Sequence, residues 1–238
     1  MRLPLPLIAV LVLSLAGCVT VAPPPAPVPA SAAAPGDQAA RAQAMTFLQV
    51  LASVEPVAEQ LCRERATARN CDFRIVVDDR PGQPPNAFQT LDDRGRPVVG
   101  FTLALIRDAR NADELAFVLG HEAAHHIAGH IPRRQDQALS GALLAGVLAQ
   151  AGGATPDEVR AAQNPGAEVA ARSYSREFEL EADALGAEIA LIAGFDPLKG
   201  SGFFDRLPDP GDRFLGSHPP NAQRKAQVAA TVRRLTGG

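Results

Sequence analysis

Gly120-His121-Glu122-Ala123-Ala124-His125 lies inside the stretch from Asn111 to His130, and the reading of that stretch decides the fold. Asn111 can cap a helix by accepting from its first turn. Asp113 and Glu114 follow where carboxylates complement the positive end of the helix dipole. The spacing predicts a helix from there to about Gly129 or His130, with Pro132 just beyond. Residues four apart share a helical face, so His121 and His125 can converge on one ion. Glu122, next to the first imidazole, can point toward a water on that ion. Zn²⁺ lowers the pKa of such a water from about 16 to about 7, and a nearby carboxylate can then pass its proton to a leaving amine.

The pattern HExxH also arises by chance, so the reading needs a third ligand. Ser175-Arg176-Glu177-Phe178-Glu179-Leu180-Glu181-Ala182-Asp183 supplies one. It falls in a second predicted helix, opening at Asn164-Pro165 and running to Ala193 with Gly194 as its stop. Glu179 and Asp183 are four apart on one face. One carboxylate can bind zinc while the other holds the free N–H of a ligand histidine. Two His and one Glu, with a fourth position open to water, is the usual layout of a catalytic zinc site. The alternative is a solvated acidic helix face.

Together these motifs resemble the HtpX-like and CAAX-endopeptidase-type zinc metallopeptidases (peptidase family M48), in particular their small envelope-lipoprotein branch. The matching pieces are Asn86-Ala87-Phe88, Leu119 to His125, Ser175 to Asp183, Gly194-Phe195-Asp196-Pro197, and Ser217-His218-Pro219-Pro220 followed by Arg224. They cover most of the chain from about residue 70 onward. The resemblance implies one zinc ion per chain held by His121, His125 and Glu179, with Glu122 as general base and Asp183 behind a ligand. It implies a mainly helical α+β fold of the gluzincin type, with helices on a small sheet whose edge strand receives extended polypeptide substrate. It also places His218 and Arg224 at the cleft, stabilising substrate or oxyanion. His218 could instead occupy zinc's open position and hold the enzyme latent, or be a plain loop histidine. The activity implied is endoproteolysis of misfolded or mislocalised envelope proteins. A non-hydrolytic assembly factor or chaperone that keeps the zinc site as structure is the competing class.

The rest of the chain sets the frame. A length of 238 residues with 46% hydrophobic residues suits one globular domain, placed at 37–238. A net charge of -3 with no basic stripe gives no case for nucleic acid. Aromatics are few, so the core should be aliphatic and the fold mostly helical. Arg2 precedes an apolar run, Leu3 to Ala16, of signal-peptide length. The run ends in Leu15-Ala16-Gly17-Cys18, which resembles a bacterial lipobox. Residues 1–17 then read as signal peptide, Cys18 as the lipidated residue, and 18–36, rich in Pro and Ala, as a tether. An ordinary secretory signal with a chance Cys is the alternative. Val19, where inner-membrane retention usually shows Asp, favours the periplasmic face of the outer membrane. Envelope assembly machinery is a candidate partner.

Residues 38–65 read as helix with a kink or break at Pro56, and Phe73 to Val77 as a strand. An irregular stretch starts at Pro84. Val98 to Leu103 reads as a second strand, put at a sheet edge by Pro97. An oxidising envelope allows Cys62 and Cys71 to bridge; two free thiols are the other reading. His126 and His130 lie on a neighbouring face with no carboxylate between them and read as packing or surface residues. Tyr174 could reach an oxyanion or be a helix residue. Segment 138–151, apolar and rich in small residues, reads as core helix or hairpin, or as a lid or membrane-touching segment.

Overall fold

The computed structural model describes residues 35–173, 175–209 and 219–237. The first helix, α1 (Pro35–Arg65), is not interrupted at Pro56. Val50, Val54, Ala58, Leu61 and Cys62 recur every one to four residues and are all buried. That stripe pins α1 to the core and carries it past the backbone donor that Pro56 lacks. A disulfide joins Cys62 to Cys71, with the α-carbons 5.6 Å apart, and closes the turn between α1 and β1 (Arg74–Asp78).

Two further strands complete an open sheet. β2 (Ala87–Leu91) pairs antiparallel with β3 (Pro97–Thr102), and β3 pairs parallel with β1, giving the order β1-β3-β2. This corrects two expectations. The strand after Pro97 is central, with Val99 and Phe101 fully buried. Pro97 is its first residue, a place where a missing N–H is tolerated. The edges are β1 and β2, and β2 lies inside the stretch expected to be irregular. A tight turn makes the hairpin: Gly95, at φ 74°, donates its N–H to the Asp92 carbonyl at 2.9 Å. Phe88 of β2 and Gly100 of β3 lie opposite each other, and the ring covers the glycine so closely that a side chain there would clash.

Thr102 ends β3 and caps α2 (Leu103–Asp108). Asn111 then caps α3 (Ala112–Ile127), its side chain accepting from the Glu114 N–H at 2.9 Å. α3 is buried almost all round, on Leu115, Ala116, Phe117, Leu119, Ala123 and Ala124 among others. Its start is fixed by Glu114, only 3% exposed, which accepts from both terminal nitrogens of Arg206 at 2.8 and 2.7 Å. A buried carboxylate with a bidentate arginine partner is tolerated where an unpaired one is not.

Beyond α3, Gly129 adopts φ 70° and the chain enters α4 (His130–Ala151). Pro132 therefore sits in the first turn of a new helix, where unpaired N–H groups make it harmless. Over the stretch expected to be a helix from 164 to 193, the described residues form α5 (Pro156–Ser173) and α6 (Ser175–Ile192); the first starts well before Asn164, and Pro165 lies inside it. α5 packs along α4, where Gly141 and Gly166 let the backbones meet: a Cβ on Gly141 would clash with the Gly166 carbonyl oxygen. Segment 138–151 is the outer part of this helical hairpin. Its Leu139, Leu143, Leu144, Val147 and Leu148 are exposed, so it is not a core helix. Among the described residues no helix is long and apolar enough to cross a membrane. α7 (Pro197–Gly200), a 3₁₀ turn (Ser201–Arg206) and α8 (Asn221–Thr236) finish the fold, with α8 against α6. The result is a mainly helical α+β architecture of zincin type.

The contact that positions the site is the crossing of α3 and α6. A Cβ built on Gly120 would lie 2.7 Å from the Gly186 carbonyl oxygen, and one on Gly186 would lie 2.7 Å from the His121 nitrogen. Neither backbone can yield without moving its helix. Gly186→Ala is expected to destabilise the fold by about 1–3 kcal/mol. Gly202→Ala, whose Cβ meets only a Glu114 carboxylate oxygen at 3.9 Å, should be close to neutral. Urea titrations of both variants check this through their midpoints.

Candidate metal centre

The crossing places one turn of α3 against one turn of α6. The Nε2 atoms of His121 and His125 are 3.0 Å apart. The Glu179 carboxylate approaches them from α6, with Oε2 3.6 Å from His121 Nε2 and Oε1 3.5 Å from His125 Nε2. Donors about 2.0–2.1 Å from one tetrahedral zinc stand about 3.3–3.4 Å from each other. The observed edges of 3.0 to 3.6 Å bracket that spacing, so two imidazoles and a carboxylate fit a zinc ion. Among the described residues these three form the one cluster of metal-binding type.

Behind His121 stands Asp183, one helical turn after Glu179 and fully buried. The His121 Nδ1–H donates to Asp183 Oδ1 at 2.9 Å, which leaves Nε2 as the ligand atom. Arg224 of α8 then clamps Asp183 through Nε at 2.7 Å and a terminal nitrogen at 2.6 Å. That same nitrogen lies 3.2 Å from Glu179, and the guanidinium sits 4.1 Å over the Phe204 ring. Arg224 does line the cavity beside His121 and Glu122, but its charge is committed to Asp183 and Glu179 rather than held for substrate alone.

The surroundings of the two imidazoles push their pKa values in opposite directions. Burial opposes the charged form of His121, but the hydrogen bond to Asp183 and the charges of Asp183 and Glu179 outweigh it and raise the pKa. His125 is pushed down to about 2, by burial first and by neighbouring His121 next, so it is neutral and ready to donate.

His126 and His130 part company. His126 is a packing residue, bonded to the Asn70 carbonyl at 2.7 Å and edge-on to Phe73. His130, also expected to be packing or surface, is instead against the site: its Nδ1 lies 2.8 Å from His125 Nδ1. Burial lowers its pKa despite the adjacent Glu181. The sequence signal for this contact was Gly129, which turns the chain back after α3. His218, Tyr174 and Cys18 lie outside the described residues.

Two cavities share Glu122, His125 and Glu179. One, of about 190 Å³, reaches Gln89 of β2 and His130; the other, of about 450 Å³, is lined by Ala87, Phe117, Phe203, Phe204 and Leu207. The edge strand β2 thus runs beside the ligands, contributing Ala87 to one cavity and Gln89 to the other. Gln89 and the aromatic wall of the 3₁₀ turn were invisible in the sequence, since nothing local marks them.

A helix bearing His121, Glu122 and His125, crossed by one bearing Glu179 and Asp183 beside a small open sheet, defines a metallopeptidase of zincin type. The family model described as Peptidase family M48 matches residues 48–232, and the chain belongs to this family. It is 28% identical over 168 residues to a protein of Vibrio cholerae described as "Putative beta-barrel assembly-enhancing protease", covering 63% of this chain and 34% of that one. It is 31% identical over 136 residues to the mitochondrial metalloendopeptidase OMA1 of Arabidopsis thaliana, covering 56% of this chain and 27% of that one. The chain thus spans between about a quarter and a third of the length of these curated relatives.

Asp183→Asn removes the charge that holds both His121 and Arg224, and frees Arg224 to compete for Glu179. Zinc affinity should fall by about 10–100-fold, read by competition with a chromophoric chelator.

Proposed function

We propose that the chain is a zinc-dependent endopeptidase of the bacterial cell envelope, anchored by lipid on Cys18 at the periplasmic face of the outer membrane. The observation that carries the enzymatic part is the convergence of His121, His125 and Glu179 beside Glu122, in a cleft bordered by the open edge of β2. Zinc, which His121, His125 and Glu179 would hold, would supply Lewis acidity toward the scissile carbonyl and the attacking water.

The chain's own residues do the rest. β2 offers unpaired backbone groups to an extended polypeptide, which adds as a strand and is held with little regard to its side chains. Glu122 takes the proton from the attacking water and delivers it to the leaving amine. Asp183 fixes the His121 tautomer, and the Arg224 guanidinium, bonded to it through two nitrogens, offsets the cost of burying that carboxylate. The apolar cavity walled by Phe117, Phe203 and Phe204 accepts a side chain flanking the scissile bond. Loose, backbone-driven recognition suits misfolded or mislocalised envelope proteins. The description of the Vibrio relative supports a link to envelope assembly machinery.

The competing reading, an assembly factor with a structural zinc, is separated by Glu122→Gln, which removes the base and leaves the ligands. Purified full chain in detergent, wild type and variant, would be given casein, with zinc measured in each. The expected result is zinc in both and cleavage lower by about 10²–10⁴-fold in the variant. Equal cleavage in both contradicts the role of Glu122, and zinc in both with cleavage in neither favours the assembly factor.

A further inference from the structure

We propose that His130 is the positioning residue for the ligand His125, and that with Glu181 and Arg133 it forms a relay fixing the proton on the outer face of that imidazole. The inference rests on the reading of His121, His125 and Glu179 as zinc ligands. If His125 offers Nε2 to the ion, its single proton is on Nδ1. The acceptor for that proton is His130 Nδ1, 2.8 Å away. His130 must then carry its own proton on Nε2, and the Glu181 carboxylate stands 3.1 Å from that atom. Arg133 in turn donates to the same Glu181 oxygen at 2.7 Å. With both rings neutral and Glu181 ionised, one arrangement of protons satisfies these links, and it leaves His125 Nε2 free to bind metal.

The setting is built for this. His130 is 5% exposed, and its ring stacks on Phe178 of α6 with centroids 4.5 Å apart and planes 11° off parallel. Gly129, at φ 70° and packed beneath the Arg69 guanidinium, lets the chain reverse so that His130 returns to His125 five residues later. The outcome parallels the other ligand. His121 is backed by Asp183 and Arg224, and His125 by His130, Glu181 and Arg133, so each imidazole ends on a carboxylate neutralised by an arginine.

Three full-chain variants test it, with zinc affinity read by chelator competition and zinc-free stability by urea titration. His130→Phe keeps the ring on Phe178 but cannot accept from His125. His130→Asn keeps an acceptor where Nδ1 stood, while His130→Gln keeps a partner for Glu181 but not that acceptor. We expect zinc binding about 10–100-fold weaker in the Phe and Gln variants and largely restored in the Asn variant. Wild-type zinc affinity in His130→Phe, or Asn and Gln variants that lose affinity equally and in step with stability, would overturn the inference while leaving the metal centre intact. Should His130→Phe fail to fold, the Asn–Gln difference decides alone. A wild-type chain that binds no zinc overturns the metal reading and this inference together.

Discussion

Two glycines, Gly120 on α3 and Gly186 on α6, let a pair of helices approach until the backbone of one touches the backbone of the other, and everything at the site follows from that distance. A helix pair separated by ordinary side chains keeps its axes about 8–10 Å apart. Glu179 comes within 3.6 Å of one imidazole and 3.5 Å of the other, which requires the close approach that absent side chains permit. The same crossing brings Asp183 behind His121, where Arg224 of α8, packed against α6, reaches both. The remaining elements hold the crossing in place: the cap at Asn111, the Glu114–Arg206 pair, and the stripe of α1 packed on α3.

The close approach concentrates charge in a dry place. His121, Glu179, Asp183 and Arg224 are all buried or nearly so. Taking carboxylates out of water costs several kcal/mol each unless partners satisfy them. Arg224 meets Asp183 with two nitrogens and touches Glu179 with one of them. One guanidinium therefore serves both carboxylates. A divalent ion would complete the compensation for Glu179, which ties the stability of this corner to metal binding.

The legible part of the site was local. His121, Glu122 and His125 lie within five residues, and Glu179 and Asp183 within another five, so helical spacing alone put each set on one face. Asn111 announced the start of α3, and the Cys62–Cys71 bridge was open to inspection. Long-range pairings were not. Nothing in the acidic run told Glu181, which meets Arg133 and His130, from a solvated residue. β2 was hidden because only its edge position, fixed by pairing to β3, explains its mixed burial. Pro97 and Pro165 misled for a common reason. Proline reports a missing backbone donor, and tertiary packing decides whether that donor was needed.

The central claim is that α3 and α6 present two imidazoles and one carboxylate to a single ion. Zinc K-edge X-ray absorption on the full chain, loaded with one equivalent of zinc, tests it most directly. The account predicts a four-ligand shell with two imidazole nitrogens and carboxylate or water oxygens at about 2.0–2.1 Å, and no sulfur. A shell with one imidazole or none would contradict it.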